Sequence, residues 1–153
     1  MTRLLGIDLG TRRIGLAVAD TEGGTVIRLA TLRRSDAPRD ASRLATVARE
    51  QRIDELIVGL PRLLDGSEGE QAAETRRWAD EIEPLVGLPL RWRDERWTSA
   101  EAEARLGPPR RGRAGGPPSA AARRAYRAVI DRAAAALILQ AELADRAQGG
   151  SGR

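Results

Sequence analysis

Apolar residues form short continuous runs near the start of the chain and recur at helical spacing further on, which predicts strands first and helices later. Residues 4–9 and 13–20 are predicted strands joined by the Gly10-Thr11 turn. Residues 25–32 form a third β-rich run after the Gly23-Gly24 turn. We therefore expect the chain to open with a three-stranded antiparallel meander.

The rest of the chain alternates helices with strands. Ser35-Asp36-Ala37-Pro38 is typical of a helix start, because proline is tolerated in the first turn. The predicted elements that follow are a helix to about Arg52, a buried strand at 55–60, a helix at 70–85, a strand at 88–93, a short helix at 98–106 and a long helix at 121–146. The expected inner face of the 70–85 helix consists of Ala72, Ala73, Trp78 and Ile82.

This order of elements predicts one α/β domain over residues 1–146. Three antiparallel strands followed by two parallel ones form a mixed five-stranded sheet flanked by helices, which is the ribonuclease H-like layout. Residues 107–120 are rich in Arg, Pro and Gly and are expected to form a mobile loop. Residues 147–153 are expected to be a flexible tail.

Composition narrows the chemistry. The 153 residues include no cysteine and no histidine, so catalysis must rest on carboxylates, hydroxyls, arginines or a hard metal ion. No apolar run approaches the ~18–20 residues of a membrane span, and no signal-peptide pattern is present, so we expect a cytoplasmic protein. Residues 107–128 contain no acid and six arginines: Arg110, Arg111, Arg113, Arg123, Arg124 and Arg127. This segment is the expected nucleic-acid-binding region.

Three acids fall where a metal site could form. Asp8 ends the first strand, Glu95 ends the fifth, and Asp131 lies on the final helix among alanines and aliphatic residues. Buried carboxylates are costly unless they are paired with cations or metal, and hard oxygen ligands suit Mg²⁺ or Mn²⁺. Each acid also has an ordinary structural interpretation. Asp8 could be a turn residue, Glu95 could face solvent or pair with Arg93 or Arg96, and Asp131 could pair with Arg127 four residues before it.

Four blocks of the chain resemble the signature blocks of the YqgF family: residues 6–20 (GIDLGTRRIGLAVAD), Val58-Gly59-Leu60-Pro61 with 65–69 (DGSEG), 94–99 (DERWTS) and 131–140 (DRAAAALILQ). Members of that family are described as pre-16S rRNA nucleases and formerly as Holliday junction resolvases. The resemblance is colinear over residues ~3 to ~143.

The resemblance implies a metal-dependent nuclease. Asp8, Glu95 and Asp131 match the three acidic positions of a ribonuclease H-like active site, which would hold two Mg²⁺ or Mn²⁺ ions and activate a water for in-line displacement. Thr11 and Asp94 are assigned supporting roles. Asp20 and Asp65 also match family positions, and we interpret them as supporting the site or shaping loops. Strand alternation alone leaves open whether Asp94 or Glu95 faces the site.

Other functions remain open at this stage. Pre-16S rRNA processing is favoured and resolution of branched DNA comes second, as a monomer or a homodimer; a resolvase would need a symmetric dimer. A nucleic-acid-binding assembly or transcription factor with little catalysis is a different class of hypothesis. Residues 6–11 (GIDLGT) also resemble the first phosphate loop of actin-like and sugar-kinase ATPases, but no second such block follows.

Overall fold

The computed structural model describes residues 1–63, 65–94, 115–117 and 119–149, with side chains for all of these except 126–132. Its strands are β1 (Arg3–Leu9), β2 (Arg13–Asp20), β3 (Val26–Arg28), β4 (Leu32–Arg33), β5 (Glu55–Leu60) and β6 (Leu90–Asp94). Its helices are α1 (Ala37–Gln51), α2 (Glu70–Val86) and α3 (Ala120–Ala147). The expected short helix at 98–106, residues 107–114 of the expected loop and the tail from 150 lie outside the described residues.

The strands form one mixed sheet in the order β3-β2-β1-β5-β6, and β4 also pairs with β2. The pairs among β1, β2, β3 and β4 are antiparallel, whereas β5 pairs with β1 and β6 in parallel. This confirms the predicted fold class.

The expected third strand is split into β3 and β4. Arg28 pairs with Ala17, and Leu32 pairs with Ile14, so three residues on one side oppose two on β2. The extra residue is a β-bulge, which interrupts the ladder and could not be read from the apolar run.

Helices α1 and α2 cover one face of the sheet. Alternate residues of β1, including Leu5, Ile7 and Leu9, pack on this face into the main apolar core. Helix α1 begins as expected, because the Asp36 side chain accepts a hydrogen bond from the Arg39 N–H at 2.9 Å. One expectation for α2 is wrong: Ala73 is exposed. It lies about 100° around the helix from the buried Ala72, which turns it out of the core.

Helix α3 covers the other face. Its residues Ala135, Ile138 and Leu139 form a second core with Leu4 and Ile57 of the sheet. The contact is close, because a Cβ built on Gly6 would lie 2.6 Å from Leu139 Cγ and 2.9 Å from the Ala135 carbonyl oxygen. Gly6 therefore allows α3 to pack directly on β1. Among the described residues, no helix is long and apolar enough to cross a membrane.

Candidate active site

Asp8 lies half-buried near the end of β1 on the face covered by α3. Its neighbours Ile7 and Leu9 pack into the α1–α2 core, so alternation turns Asp8 to the opposite side. Gly15 of β2 lies directly opposite it in the ladder. Ile7 pairs with Val58 on the other side, and continuing this register by one residue places Gly59 next to Asp8. Asp8 is thus flanked by glycines on both neighbouring strands, which leaves room for a ligand beside its carboxylate.

Helix α3 brings its residue 131 towards the same end of β1. Arg146 pairs with Glu55, which is opposite Leu4 in the β1–β5 ladder, whereas Ala135 contacts Gly6. The helix therefore runs antiparallel to β1. The backbone of Asp131 is four residues, about 6 Å, before Ala135 along the helix. Asp8 is two residues, about 7 Å, beyond Gly6 along the strand. The two steps point in the same direction. The Asp131 side chain lies outside the described atoms.

Side-chain contacts show which face of the sheet each described residue of β6 takes. Leu90 and Trp92 pack against the α1–α2 core. Arg93 instead reaches α3, where its guanidinium binds Glu142 at 3.0 Å and Asp145 at 2.6 Å. By the same alternation Asp94, which is exposed, belongs to the α1–α2 face, opposite to Asp8. Glu95 lies outside the described residues.

A buried carboxylate holds β6 and α3 together. Glu142 is only 6% exposed, and its oxygens lie within 3.8 Å of Arg91, 3.0 Å of Arg93 and 3.0 Å of Arg146. Arg146 also binds Glu55 of β5 at 2.7 Å. Burial disfavours the charged form of Arg146, but the hydrogen bonds that it donates to Glu55 and Glu142 outweigh burial and raise its pKa. Helical spacing offers Glu142 only Arg146, four residues later, whereas its partners Arg91 and Arg93 depend on how α3 packs against β6.

Two acids named in the family resemblance shape turns. Asp20 accepts a hydrogen bond from the Gly23 N–H in the turn after β2. Asp65 accepts hydrogen bonds from the Ser67 N–H at 2.8 Å and hydroxyl at 2.6 Å in the loop after β5. These contacts agree with a loop-shaping role for both.

An exposed ion pair closes the same β5–α2 loop. The Arg76 guanidinium binds Glu68, lies 5.1 Å from the centre of the Trp92 ring, and by its hydrogen bond holds the pKa of Glu68 below its ordinary value.

The structure describes only some of the expected supporting and nucleic-acid-binding residues. Thr11 is exposed in the turn between β1 and β2, next to the strand end that carries Asp8. Arg123 and Arg124 are exposed in the first turns of α3. Arg127 is on the same helix, but its side chain lies outside the described atoms. The structure does not describe Arg110, Arg111 or Arg113.

Sequence reasoning missed a buried polar pair on the far side of the sheet. Asp40 of α1 is fully buried and accepts hydrogen bonds from Trp78 Nε1 at 3.1 Å and from the Ser35 N–H at 2.9 Å. The first turns of α1 are otherwise polar, so nothing in the sequence indicated that Asp40 is buried. Its partner Trp78 is 38 residues away, and sequence spacing does not predict that contact. Because α1 and α2 surround it, this carboxylate is a packing feature away from the Asp8 face.

Within the described ranges, no three Asp, Glu, His or Cys residues form a metal-binding cluster. Of the three expected metal-binding acids, Asp8 is the one whose side chain the structure describes. Its flanking glycines and its hard oxygen donors suit a divalent cation of the Mg²⁺ class.

The sheet order, the antiparallel start, and a long helix over the face that carries Asp8 define a ribonuclease H-like protein. Among solved structures, the fold is similar to Thermus thermophilus RuvC in complex with a Holliday junction substrate, with a TM-score of 0.56 and 17% identity over 98% of both chains. A second Thermus thermophilus RuvC structure gives a TM-score of 0.55 over 96% of this chain and 97% of that one.

The family model RuvX, described as Holliday junction resolvase, matches residues 2–145. A Synechococcus sp. protein named "Putative pre-16S rRNA nuclease" is 41% identical over 136 residues, covering 89% of this chain and 85% of its own. Proteins of the same name from Moorella thermoacetica and Anaeromyxobacter sp. are 38% and 42% identical, each covering at least 95% of this chain and 98% of its own. The chain belongs to the RuvX family, which confirms the nuclease family expected from its signature blocks.

Proposed function

We propose that this protein is a metal-dependent nuclease that hydrolyses phosphodiester bonds, with pre-16S rRNA as its substrate class. The observation that carries the proposal is Asp8, a half-buried carboxylate on the α3 face, with Gly15 opposite it on β2 and Gly59 next in the extended register on β5. Membership of the RuvX family and the names of the relatives support nucleic acid as the substrate.

Two further acids are proposed from the described residues nearest to them in the chain. Asp131 is one helical turn before Ala135, in the direction that Asp8 takes from Gly6. Arg93 faces α3, so continued alternation along β6 would turn Glu95, two residues later, towards Asp8. The same alternation argues against Asp94. We propose that Asp8, Glu95 and Asp131 together hold the metal.

Divalent ions of the Mg²⁺ or Mn²⁺ type, when bound, lower the pKa of a water and stabilise the charge that develops on the leaving oxygen. The chain would contribute the rest. Its carboxylates orient the ligand site, the side-chain-free surface at Gly15 and Gly59 admits the sugar-phosphate backbone, and Glu142 holds α3 and β6 at a constant spacing. Arg123 and Arg124, together with Arg127 and Arg110, Arg111 and Arg113, would neutralise neighbouring phosphates. Thr11 would border the bound strand.

The test is cleavage of a labelled pre-16S 5′-leader RNA and a labelled four-way DNA junction, each with Mg²⁺ and with Mn²⁺. Asp8→Asn and Asp131→Asn should each reduce RNA cleavage more than about 100-fold, since losing a metal ligand costs more than the 10–100-fold of an outer-shell residue. The matched control is Asp80→Asn on α2, an exposed aspartate away from the site. Retained RNA cleavage in both site variants would refute the proposal.

A second comparison assigns the acid at the end of β6. Glu95→Gln should reduce cleavage as strongly as Asp8→Asn, whereas Asp94→Asn should have a small effect. The reverse order would show that the strand alternation changes after Asp94.

Branched DNA is the second candidate substrate, because the family model is described as a Holliday junction resolvase. Symmetric cutting of the junction by a dimer, measured together with the mass in solution, would favour it over rRNA. Binding of either nucleic acid without cleavage in either metal would favour a non-catalytic assembly or transcription factor instead.

A further inference from the structure

Two arginines oppose each other at the end of the sheet near Asp8. Arg13 is the first residue of β2, Arg33 is the last residue of β4, and the two are direct partners in the antiparallel ladder. Like charges at directly opposed positions repel, so this pair destabilises the sheet when no anion is near. Such a pair of positive side chains is expected where a bound anion supplies the negative charge that removes the repulsion.

Both arginines lie on the face of the sheet that carries Asp8. Their ladder neighbours Ile14 and Leu32 pack against the α1–α2 core, so alternation turns Arg13 and Arg33 to the α3 side. Arg13 is half-buried and Arg33 is exposed.

Their distance from Asp8 follows from the ladder. The Gly10 N–H donates to the Arg13 carbonyl at 2.8 Å, which extends the β1–β2 pairing two residues beyond Asp8. With about 3.4 Å per residue and about 4.8 Å between strands, the backbones of Arg13 and Arg33 lie roughly 8 and 12 Å from that of Asp8. Both arginines are therefore close enough to Asp8 to contact a phosphate a short way along the same nucleic-acid strand.

Two other arginines near the pair, Arg34 and Arg43, already have protein partners. The Arg34 guanidinium pairs with Glu74 at 2.8 Å, and the Arg43 guanidinium donates to the Arg33 carbonyl at 2.8 Å. Within the parts of the chain that the structure describes, the guanidinium groups of Arg13 and Arg33 have no such partner. Their charge is therefore available to a ligand, and a guanidinium binds phosphate oxygens in bidentate fashion.

We propose that Arg13 and Arg33 form a phosphate-binding pair that holds the nucleic-acid backbone a short way along the strand from the bond to be cleaved. The identity of the ligand as nucleic acid rests on the proposed function. The pair lies on the β2 side of Asp8, whereas β5 and β6 lie on its other side. It extends the proposed binding surface along the sheet on the β2 side of Asp8.

The experiment measures binding by fluorescence anisotropy of the labelled leader RNA in EDTA, where metal-dependent cleavage cannot occur. Arg13→Gln and Arg33→Gln are compared with each other, with the double variant, and with Arg49→Gln, an exposed arginine in the last turn of α1. Each pair variant should bind about tenfold more weakly, and each lost phosphate contact should reduce the salt slope by about 1. The double variant should lose less than the product of the single losses, because one phosphate group contacts both side chains.

Thermal unfolding separates binding from a structural role. Removal of one charge of a repelling pair should leave the melting temperature unchanged or raise it while affinity falls. A lowered melting temperature with unchanged affinity would overturn the proposal, as would equal affinities of the pair variants and Arg49→Gln. Arg33→Gln is sufficient for the test if Arg13→Gln does not fold, since Arg33 is exposed at a strand end.

The two proposals fail differently. Wild-type protein that cleaves RNA while the pair variants bind normally overturns only the phosphate pair. Wild-type protein that binds RNA through the pair without cleaving it in Mg²⁺ or Mn²⁺ overturns only the nuclease proposal. No binding of RNA or the DNA junction by the wild type overturns both.

Discussion

The substitution Gly6→Ala tests whether the close contact between β1 and α3 positions the site. The added Cβ would lie 2.6 Å from Leu139 Cγ and 2.9 Å from the Ala135 carbonyl oxygen, both closer than real Cβ atoms approach their neighbours. Leu139 is fully buried and the carbonyl belongs to the helix backbone, so α3 must shift away from β1.

The expected cost follows from two opposing effects. Overpacking of a core costs about 1–3 kcal/mol. Replacing glycine within a strand recovers about 0.5–1 kcal/mol, because the unfolded chain loses conformational freedom. We expect a net loss of about 1–2 kcal/mol, which at about 2–4 °C per kcal/mol lowers the melting temperature by about 2–8 °C.

The assay is urea unfolding followed by tryptophan fluorescence, with a double-mutant cycle to Leu139→Ala. That substitution alone should cost about 2–5 kcal/mol, and the pair should cost less than the sum because the smaller side chain makes room for the Cβ. Costs that add to within about 0.5 kcal/mol would refute the packing argument. Cleavage by folded Gly6→Ala should also fall, because an active-site displacement of about 1 Å costs on the order of 100-fold.

Three further predictions concern polar contacts. Glu142→Gln should destabilise the protein by about 1–3 kcal/mol, since three partly exposed guanidinium groups lose a buried counter-charge, and urea unfolding measures this. Asp40→Ala should cost about 1–3 kcal/mol in the same assay by leaving Trp78 Nε1 without its acceptor, whereas Trp78→Phe in that background should recover part of the loss. Since the pKa of Glu68 is lowered in the folded protein, its pair with Arg76 stabilises the fold at pH values above the ordinary glutamate range, and this stabilisation is lost as pH falls through the lowered pKa. An NMR titration of Glu68 should show a higher midpoint in Arg76→Gln than in the wild type.

The local sequence pattern predicted most of the order of strands and helices, because short-range residue preferences largely determine where these elements begin and end. The aspartate before α1 and the proline in its first turn marked that helix, and the last helix runs from Ala120 to Ala147 against an expected 121–146. The fifth predicted strand begins later than expected, at Leu90, because pairing with β5 and not apolarity sets its start, and it includes Asp94.

For the candidate site, the sequence alone singled out Asp8 at a strand end and Asp131 among small apolar residues, because carboxylates in such positions are unusual and chemically costly. Its pattern did not determine which face of the sheet each residue takes. That depends on register: Gly15 lies opposite Asp8, the bulge places Arg33 opposite Arg13, and Glu142 meets Arg93 only because α3 runs backwards along β1. A shift of one residue in any strand reverses every side chain on it, and periodicity is the same in both registers, so only the tertiary structure could decide these contacts.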